Sequence, residues 1–177
     1  MRDLTTKDMY YRKAKPISYD HNKRVKAKAV EYIVIHNTNK DKDGDTAKNN
    51  VDYFATGNIY EAGAHFFVDQ NGNIGRSIPM DYTAWAVGGK GIGTMKGIVR
   101  NDNSVSIELC SIAFKDPSDA MVESLIDLIR YIYKYCPKVK GIVRHFDVTG
   151  KECPARMMDN KKWNEFLTRI MLTSISK

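Results

Sequence analysis

The sequence predicts an α/β fold, a mixed central β-sheet flanked by helices. Three observations carry this expectation. Residues 30–36, Val-Glu-Tyr-Ile-Val-Ile-His, are β-branched and nearly all apolar, the pattern of a strand buried on both faces. Residues 104–110, Ser-Val-Ser-Ile-Glu-Leu-Cys, alternate cleanly, as a strand does when its faces meet different surroundings. Val122, Leu125, Ile126, Ile129, Ile132, Tyr133 and Cys136 follow the i, i+3, i+4 spacing of an amphipathic helix. Strands interleaved with helices pack those helices on the sheet faces.

Length and composition narrow the class. A chain of 177 residues, 42% hydrophobic and 28% charged, fits one domain around a single core. No apolar run approaches the roughly 20 residues of a membrane span. The start, Met1-Arg-Asp-Leu-Thr-Thr-Lys7, has no apolar core of a secretory signal. The chain is therefore expected to be made in the cytoplasm and to need another route to any extracellular target. Cys110, Cys136 and Cys153 are widely spaced and odd in number, which argues against a disulfide framework. The net charge is +7, and residues 1–30 hold nine Lys/Arg against three acidic residues. Residues 1–29 are expected to wrap the domain surface as a basic arm. Such an arm is either a solvated face or an attractor for a polyanion, namely nucleic acid, anionic lipid or a wall polymer. No nucleic-acid motif accompanies it.

In chain order, the strand at 30–36 ends in His36-Asn37-Thr38. A histidine at the end of a buried strand either opens onto a cleft or bonds into the core. Asp41-Lys-Asp-Gly-Asp45 reads as a turn, and its spacing lacks the ligands of a calcium loop. Asp45 or Thr46 can cap a helix with Ala47, Val51, Phe54 and Ala55 on its apolar stripe and Gly57 at its close. Residues 65–78 predict a β-hairpin turning at Asn71-Gly72, opened by His65 and ended by Pro79. Residues 81–103 hold Gly88, Gly89, Gly91, Gly93, Gly97, Asn101 and Asn103. They predict a long loop, with Tyr82 and Trp85 placed to line a groove. In the alternating strand, Glu108 shares a face with Ser104 and Ser106, so that face meets either solvent or a polar cleft. Pro117-Ser-Asp introduces the long helix and Pro137 ends it. A strand containing Ile142-Val143 follows, then a helix at about 160–172 packing Trp163, Phe166, Leu167 and Ile170.

The stretch after that last strand carries the chemistry. His145 stands at a strand end, and Lys151, Cys153 and Pro154 follow on the next loop. Imidazole and thiolate are zinc ligands, and the Lys151 charge favours thiolate. Two ligands do not complete a catalytic site, so a third must come from elsewhere. His36, Glu108 and His145, each expected on a sheet strand, are the groups a rigid sheet can bring to one cleft.

Three segments together carry a family resemblance: His36-Asn-Thr after a buried strand, Ser106-Ile-Glu108-Leu, and His145-x5-Lys151-x-Cys153-Pro154. The chain resembles the zinc-dependent N-acetylmuramoyl-L-alanine amidases of the type-2 amidase family, which includes phage endolysins and is related to peptidoglycan-recognition proteins. The resemblance spans about residues 30–170. It implies a zinc cleft at one end of the sheet and one Zn2+ per chain held by His36, His145 and Cys153. It implies Glu108 as catalytic acid/base and Lys151 as oxyanion stabiliser. Asn37, Thr38, His65, Tyr82 and Trp85 are then candidate substrate contacts or cleft structure. The implied activity is hydrolysis of the amide between N-acetylmuramic acid and L-alanine in peptidoglycan. The alternative is a non-catalytic peptidoglycan-binding module. Two departures stand out: Ala64 replaces a tyrosine found in one branch of the family, and Trp85-Ala86 lacks a histidine common after that tryptophan. On this reading residues 1–177 are a single catalytic domain without a separate wall-binding domain. It is expected to be monomeric and to act on the bacterial wall after release. The basic arm would engage anionic wall polymers, with no nucleic-acid partner.

Overall fold

The computed structural model describes residues 2–24, 29–38, 44–88, 91–113 and 115–175. In chain order the strands are β1 (Tyr10–Tyr11), β2 (Tyr19–Arg24), β3 (Tyr32–Asn37), β4 (Phe66–Val68), β5 (Ile74–Arg76), β6 (Tyr82–Ala84), β7 (Ser104–Leu109) and β8 (Gly141–Arg144). The helices are α1 (Ala47–Asp52), α2 (Asp119–Tyr135), α3 (His145–Thr149) and α4 (Asn160–Ile175). Six strands form one mixed sheet in the order β1-β5-β4-β7-β3-β8, and β2 pairs with β6 in a second, two-stranded sheet. Strand β3 runs parallel to both neighbours, β7 and β8.

Sequence pattern explains the layering. Successive strand residues point to opposite faces. Ile33 and Ile35 of β3 join Val105, Ile107 and Leu109 of β7 in the main core, against Leu125, Leu128 and Ile132 of α2 and Trp163 and Phe166 of α4. Tyr32 and Val34 point the other way, into a smaller cluster with Val87, Val99 and Val148. Both faces are covered, as the uninterrupted apolar run of β3 requires. Ser118 caps α2 by accepting from the Met121 amide at 3.1 Å, and Thr46 caps α1 by accepting from the Asn49 amide at 3.1 Å. The β4–β5 hairpin turns through Gly72 at φ 78°. A Cβ at Gly72 would lie 2.8 Å from the Ala120 carbonyl oxygen, so close docking on α2 also requires glycine there.

The structure departs from the sequence reading in three places. The N-terminal segment does more than wrap the surface: β1 pairs with β5 at the sheet edge, and β2 pairs with β6. Leu4, Met9, Ala14 and Tyr19 are buried. The 81–103 segment contains β6 and a 3-10 turn at Asn101–Asn103. The two residues of β1 and three of β6 carry no readable period, and β2, Tyr-Asp-His-Asn-Lys-Arg, is too polar to show one; their partners define them. Third, His145 is not on a strand but is the first residue of α3. Positions 25–28, including Lys26 and Lys28 of the basic arm, lie outside the described residues, as do 39–43, which include the first three residues of the turn expected at Asp41–Asp45.

The contribution of the N-terminal segment is measurable. Tyr19 is 3% exposed, and its ring packs edge-on against Tyr82 with centroids 5.0 Å apart. Tyr19→Ala is expected to lower unfolding free energy by about 3 kcal/mol, read by urea denaturation. A loss under about 0.5 kcal/mol would return the segment to the role of a surface wrap.

Candidate metal centre and cleft

The parallel ladder builds the site. His36 is the register partner of Glu108, and Ile35 is the partner of Arg144. Paired residues of parallel strands point to the same face. Glu108 therefore shares the His36 face, and His145 follows directly on the residue beside Ile35. All three groups collect at the carboxyl ends of parallel strands, where open α/β sheets place their ligands.

The third donor arrives on the loop after α3. Donor atoms of His36, His145 and Cys153 all lie within 4.8 Å of one another, and all three residues are buried. The Nδ1 atoms of His36 and His145 are 3.1 Å apart. The Asn37 amide donates to Cys153 Sγ at 3.4 Å. His36 Nε2 is buried without a partner among the described residues. Burial holds the His36 imidazole well below its ordinary proton affinity, helped by the neighbouring His145 and the Lys151 charge. His145 is lowered to about 4, by burial first and the Lys151 charge second. Both rings are thus neutral lone-pair donors at neutral pH. One ring N–H of His145 bonds the Val87 carbonyl, which leaves the other nitrogen as an acceptor or ligand. Burial pushes the Cys153 thiol up to about 12, outweighing the opposing effects of the Asn37 amide and Lys151. The lysine effect expected from sequence has the right sign but is the smaller one. Two imidazoles and a sulfur at this spacing fit a tetrahedral ion with one open position.

Glu108 stands beside this cluster in a polar, covered setting, which resolves the choice the alternation left open. Its Oε2 is buried without a partner among the described residues. Burial raises its pKa to about 7, with Asp45 adding to the rise and Lys151 opposing it. An open cleft of about 730 Å3 adjoins the cluster, lined by Glu61, Trp85, Ile92, His145 and Lys151 among others. Ile92 is 91% exposed at its edge. Its loop lies on the backbone of α3, with the Ile92 amide donating to the Thr149 carbonyl at 3.2 Å.

Of the expected substrate contacts, only Trp85 lines this cleft. His65 is 1% exposed; its Nδ1 accepts from the Ser106 amide at 3.0 Å and its Nε2 lies 3.0 Å from the Tyr82 carbonyl oxygen. It joins β7 to β6 and is part of the framework. Thr38 is buried, and its hydroxyl donates to Asp45 at 2.5 Å. Tyr82 packs beside Tyr19, Ile78 and Ala84. Asn37 uses both polar side-chain atoms internally, donating to the Thr38 carbonyl at 2.9 Å and accepting from the Ala155 amide at 2.7 Å. Spacing had gathered these residues near the site but carried no information on which way each polar group points.

Three supporting residues escaped the sequence reading. Arg144 is 5% exposed; it pairs with Asp147 at 2.6 Å and donates to the carbonyls of Met157 and Met158 and to Asn160. It fastens α3 and the Cys153 loop to α4. Its signal was a charge ending the apolar run Ile142-Val143, the same anomaly that singled out Glu108. Asn101 Oδ1 accepts from the amides of Ala86 and Val87 at 3.1 and 2.8 Å, bracing the segment whose carbonyl bonds His145. Asp45 accepts from Thr38, from the Ser111 amide at 2.7 Å and from Asn50 at 2.7 Å. It thereby ties the ends of β3 and β7 to α1, and it holds Ser111 in a left-handed conformation at φ 64°.

Fold and cluster together define an α/β domain with a candidate metal centre opening on a cleft. Its sequence matches the Amidase_2 family, N-acetylmuramoyl-L-alanine amidase, over residues 26–156, and the chain belongs to that family. It is 31% identical over 155 residues to N-acetylmuramoyl-L-alanine amidase CwlH of Bacillus subtilis (strain 168), covering 88% of this chain and 58% of CwlH. With N-acetylmuramoyl-L-alanine amidase XlyB of the same organism it is 29% identical over 141 residues, covering 78% of this chain and 41% of XlyB. The chain thus spans about half the length of the curated relatives it matches. The solved structure of PlyL superposes with a TM-score of 0.71 at 25% identity, covering 92% of this chain and 96% of that one.

The Arg144 hub carries its own expectation. Arg144→Met keeps the backbone amide bond to Asp147 Oδ2 but leaves Asp147 Oδ1, the two carbonyls and Asn160 Oδ1 without their guanidinium donor. Stability is expected to fall by about 3 kcal/mol, read by chemical denaturation. A change under about 1 kcal/mol would show that the hub is not holding the loop.

Proposed function

We propose that this chain is a peptidoglycan amidase domain. It hydrolyses the amide between N-acetylmuramic acid and L-alanine, with one zinc ion held by His36, His145 and Cys153. The observation that carries the reading is the meeting of three buried donors within 4.8 Å beside a cleft, in a chain of this family. The donor set suits zinc, since neutral imidazoles and a sulfur are its preferred ligands. When bound, zinc would polarise the scissile carbonyl and acidify water.

The remaining roles fall to the chain's own side chains. Glu108, raised to about 7, can both accept and release a proton near neutral pH. It takes a proton from the attacking water and returns it to the departing alanine amine. Lys151 lines the cleft and supplies positive charge where the carbonyl oxygen becomes negative. Trp85 offers a flat apolar face to sugar or peptide. No described helix is long and apolar enough to cross a membrane. Cationic residues of the N-terminal segment give the domain an electrostatic attraction to anionic wall polymers.

Cys153→Ser is expected to lose bound zinc and hydrolysis together, read by elemental analysis and by release of soluble fragments from purified walls. Active protein free of metal would overturn the zinc assignment. Glu108→Gln keeps size and hydrogen-bonding reach but removes basicity. Folding and zinc content should survive while hydrolysis falls about 10²-fold or more. Near-normal turnover in this variant would route the proton through another group.

A further inference from the structure

We infer that Asn37 is a positioning residue whose side chain clamps the Cys153 loop to the end of β3 and so holds the thiol against the two imidazoles. The inference rests on the proposed reading of Cys153 as a metal ligand, and it replaces the expectation that Asn37 contacts substrate.

The Cys153 loop hangs between two anchored ends. At one end the Phe146 amide donates to the Cys153 carbonyl at 2.8 Å. At the other, Arg144 holds the carbonyls of Met157 and Met158. Between them, among the described residues, the hydrogen bonds from residues 151–155 to anything outside 145–157 both end on Asn37. Its backbone amide donates to Cys153 Sγ at 3.4 Å, and its Oδ1 accepts from the Ala155 amide at 2.7 Å. The Nδ2 donates to the Thr38 carbonyl at 2.9 Å, which fixes the amide plane and aims Oδ1 at the loop. Thr38 is itself tied to β7 by its amide, which donates to the Leu109 carbonyl at 3.2 Å. The clamp is thus anchored in the ladder that carries His36 and Glu108. The carboxamide supplies the donor and the acceptor from one planar group. Both polar atoms of the Asn37 side chain are thus engaged inward, toward Thr38 and the Cys153 loop.

The bond can be cut from either side. Asn37→Ala removes the acceptor. Ala155→Pro removes the donor alone: Ala155 opens a 3-10 turn, and Pro154 before it is extended at φ −76°, ψ 130°. Proline is tolerated at such a first helical position after an extended residue. The first readout needs no metal. In chelator-stripped protein, alkylation of Cys153 by iodoacetamide at fixed pH is followed by mass spectrometry, with the fully buried Cys110 and Cys136 as internal controls. Either variant should speed Cys153 alkylation about ten-fold, the scale of one lost hydrogen bond. The double variant should add nothing further, because both act through the same bond. The second readout is zinc affinity by chelator competition, expected to weaken about ten-fold or more, as for other residues that orient metal ligands. Unchanged Cys153 alkylation in folded variants overturns the inference. So does a parallel rise at all three cysteines, which reports general loosening, or a response to Asn37→Ala with none to Ala155→Pro. If the unaltered protein binds no zinc, the proposed metal centre falls, while the alkylation rates still decide the clamp.

Discussion

The site depends on one constraint, the register of β3 between two parallel strands. His36 lies opposite Glu108 on one side, and Ile35 lies opposite Arg144 on the other. A slip of one residue in either ladder would turn His36 toward the main core and bring Ile35 or Asn37 to the cleft face. Burial opposes that slip. Ile33, Ile35, Ile107 and Leu109 are each fully buried on the far face, and any exchange of faces would seat imidazole and carboxylate among them. The apolar alternation that makes the core is therefore also what aims the polar groups at the cleft.

Burial sets the chemistry as well as the geometry. It depresses protonation of both histidines, raises Glu108 to about 7 and pushes the Cys153 thiol up to about 12. Desolvation always disfavours the charged form, so bases and acids shift in opposite directions in the same pocket. Lys151 is the counterweight. Its charge favours carboxylate at Glu108 and thiolate at Cys153 and disfavours imidazolium at His36 and His145. One lysine at the cleft edge thus pushes every member of the site toward its deprotonated form, the form in which these groups bind a cation or accept a proton.

Long elements were legible in the sequence because they carry their own period. The strand through His36, the alternating strand through Glu108, the hairpin at Gly72 and the long helix after Pro117 all stand where the pattern put them. The short strands β1 and β6 were not legible, since nothing local separates Tyr10-Tyr11 or Tyr82-Thr83-Ala84 from loop, and the six residues of β2, Tyr19–Arg24, are nearly all polar and show no apolar alternation. Their identity comes from partners distant in sequence. The same limit applies within the site. The grouping of His36, His145 and Cys153 could be read by resemblance, and the structure brings these residues together. The orientation of Asn37, Thr38 and His65 could not, because a short polar side chain at a strand end has equal access to solvent, backbone and neighbouring loop.

The two halves of the site are held by different means. The ladder half, with His36 and Glu108, is fixed by backbone hydrogen bonds and core packing. The loop half, with Cys153 and Lys151, lies outside the six-stranded sheet, and single polar side chains add to its few backbone bonds. Asn101 braces the Ala86–Val87 segment whose carbonyl bonds His145, Asn37 reaches the Cys153 loop, and Arg144 closes its far end. Each such fastening is worth about one hydrogen bond, or more where charged, whereas a core strand is held by many contacts at once. The loop half is therefore where local opening should concentrate. Asn101, read in the sequence as part of a turn-rich loop, has a second explanation here. A loop bordering an open cleft cannot be secured by burying apolar surface without closing the cleft, so compact side chains that bond backbone are the means left to keep it in place.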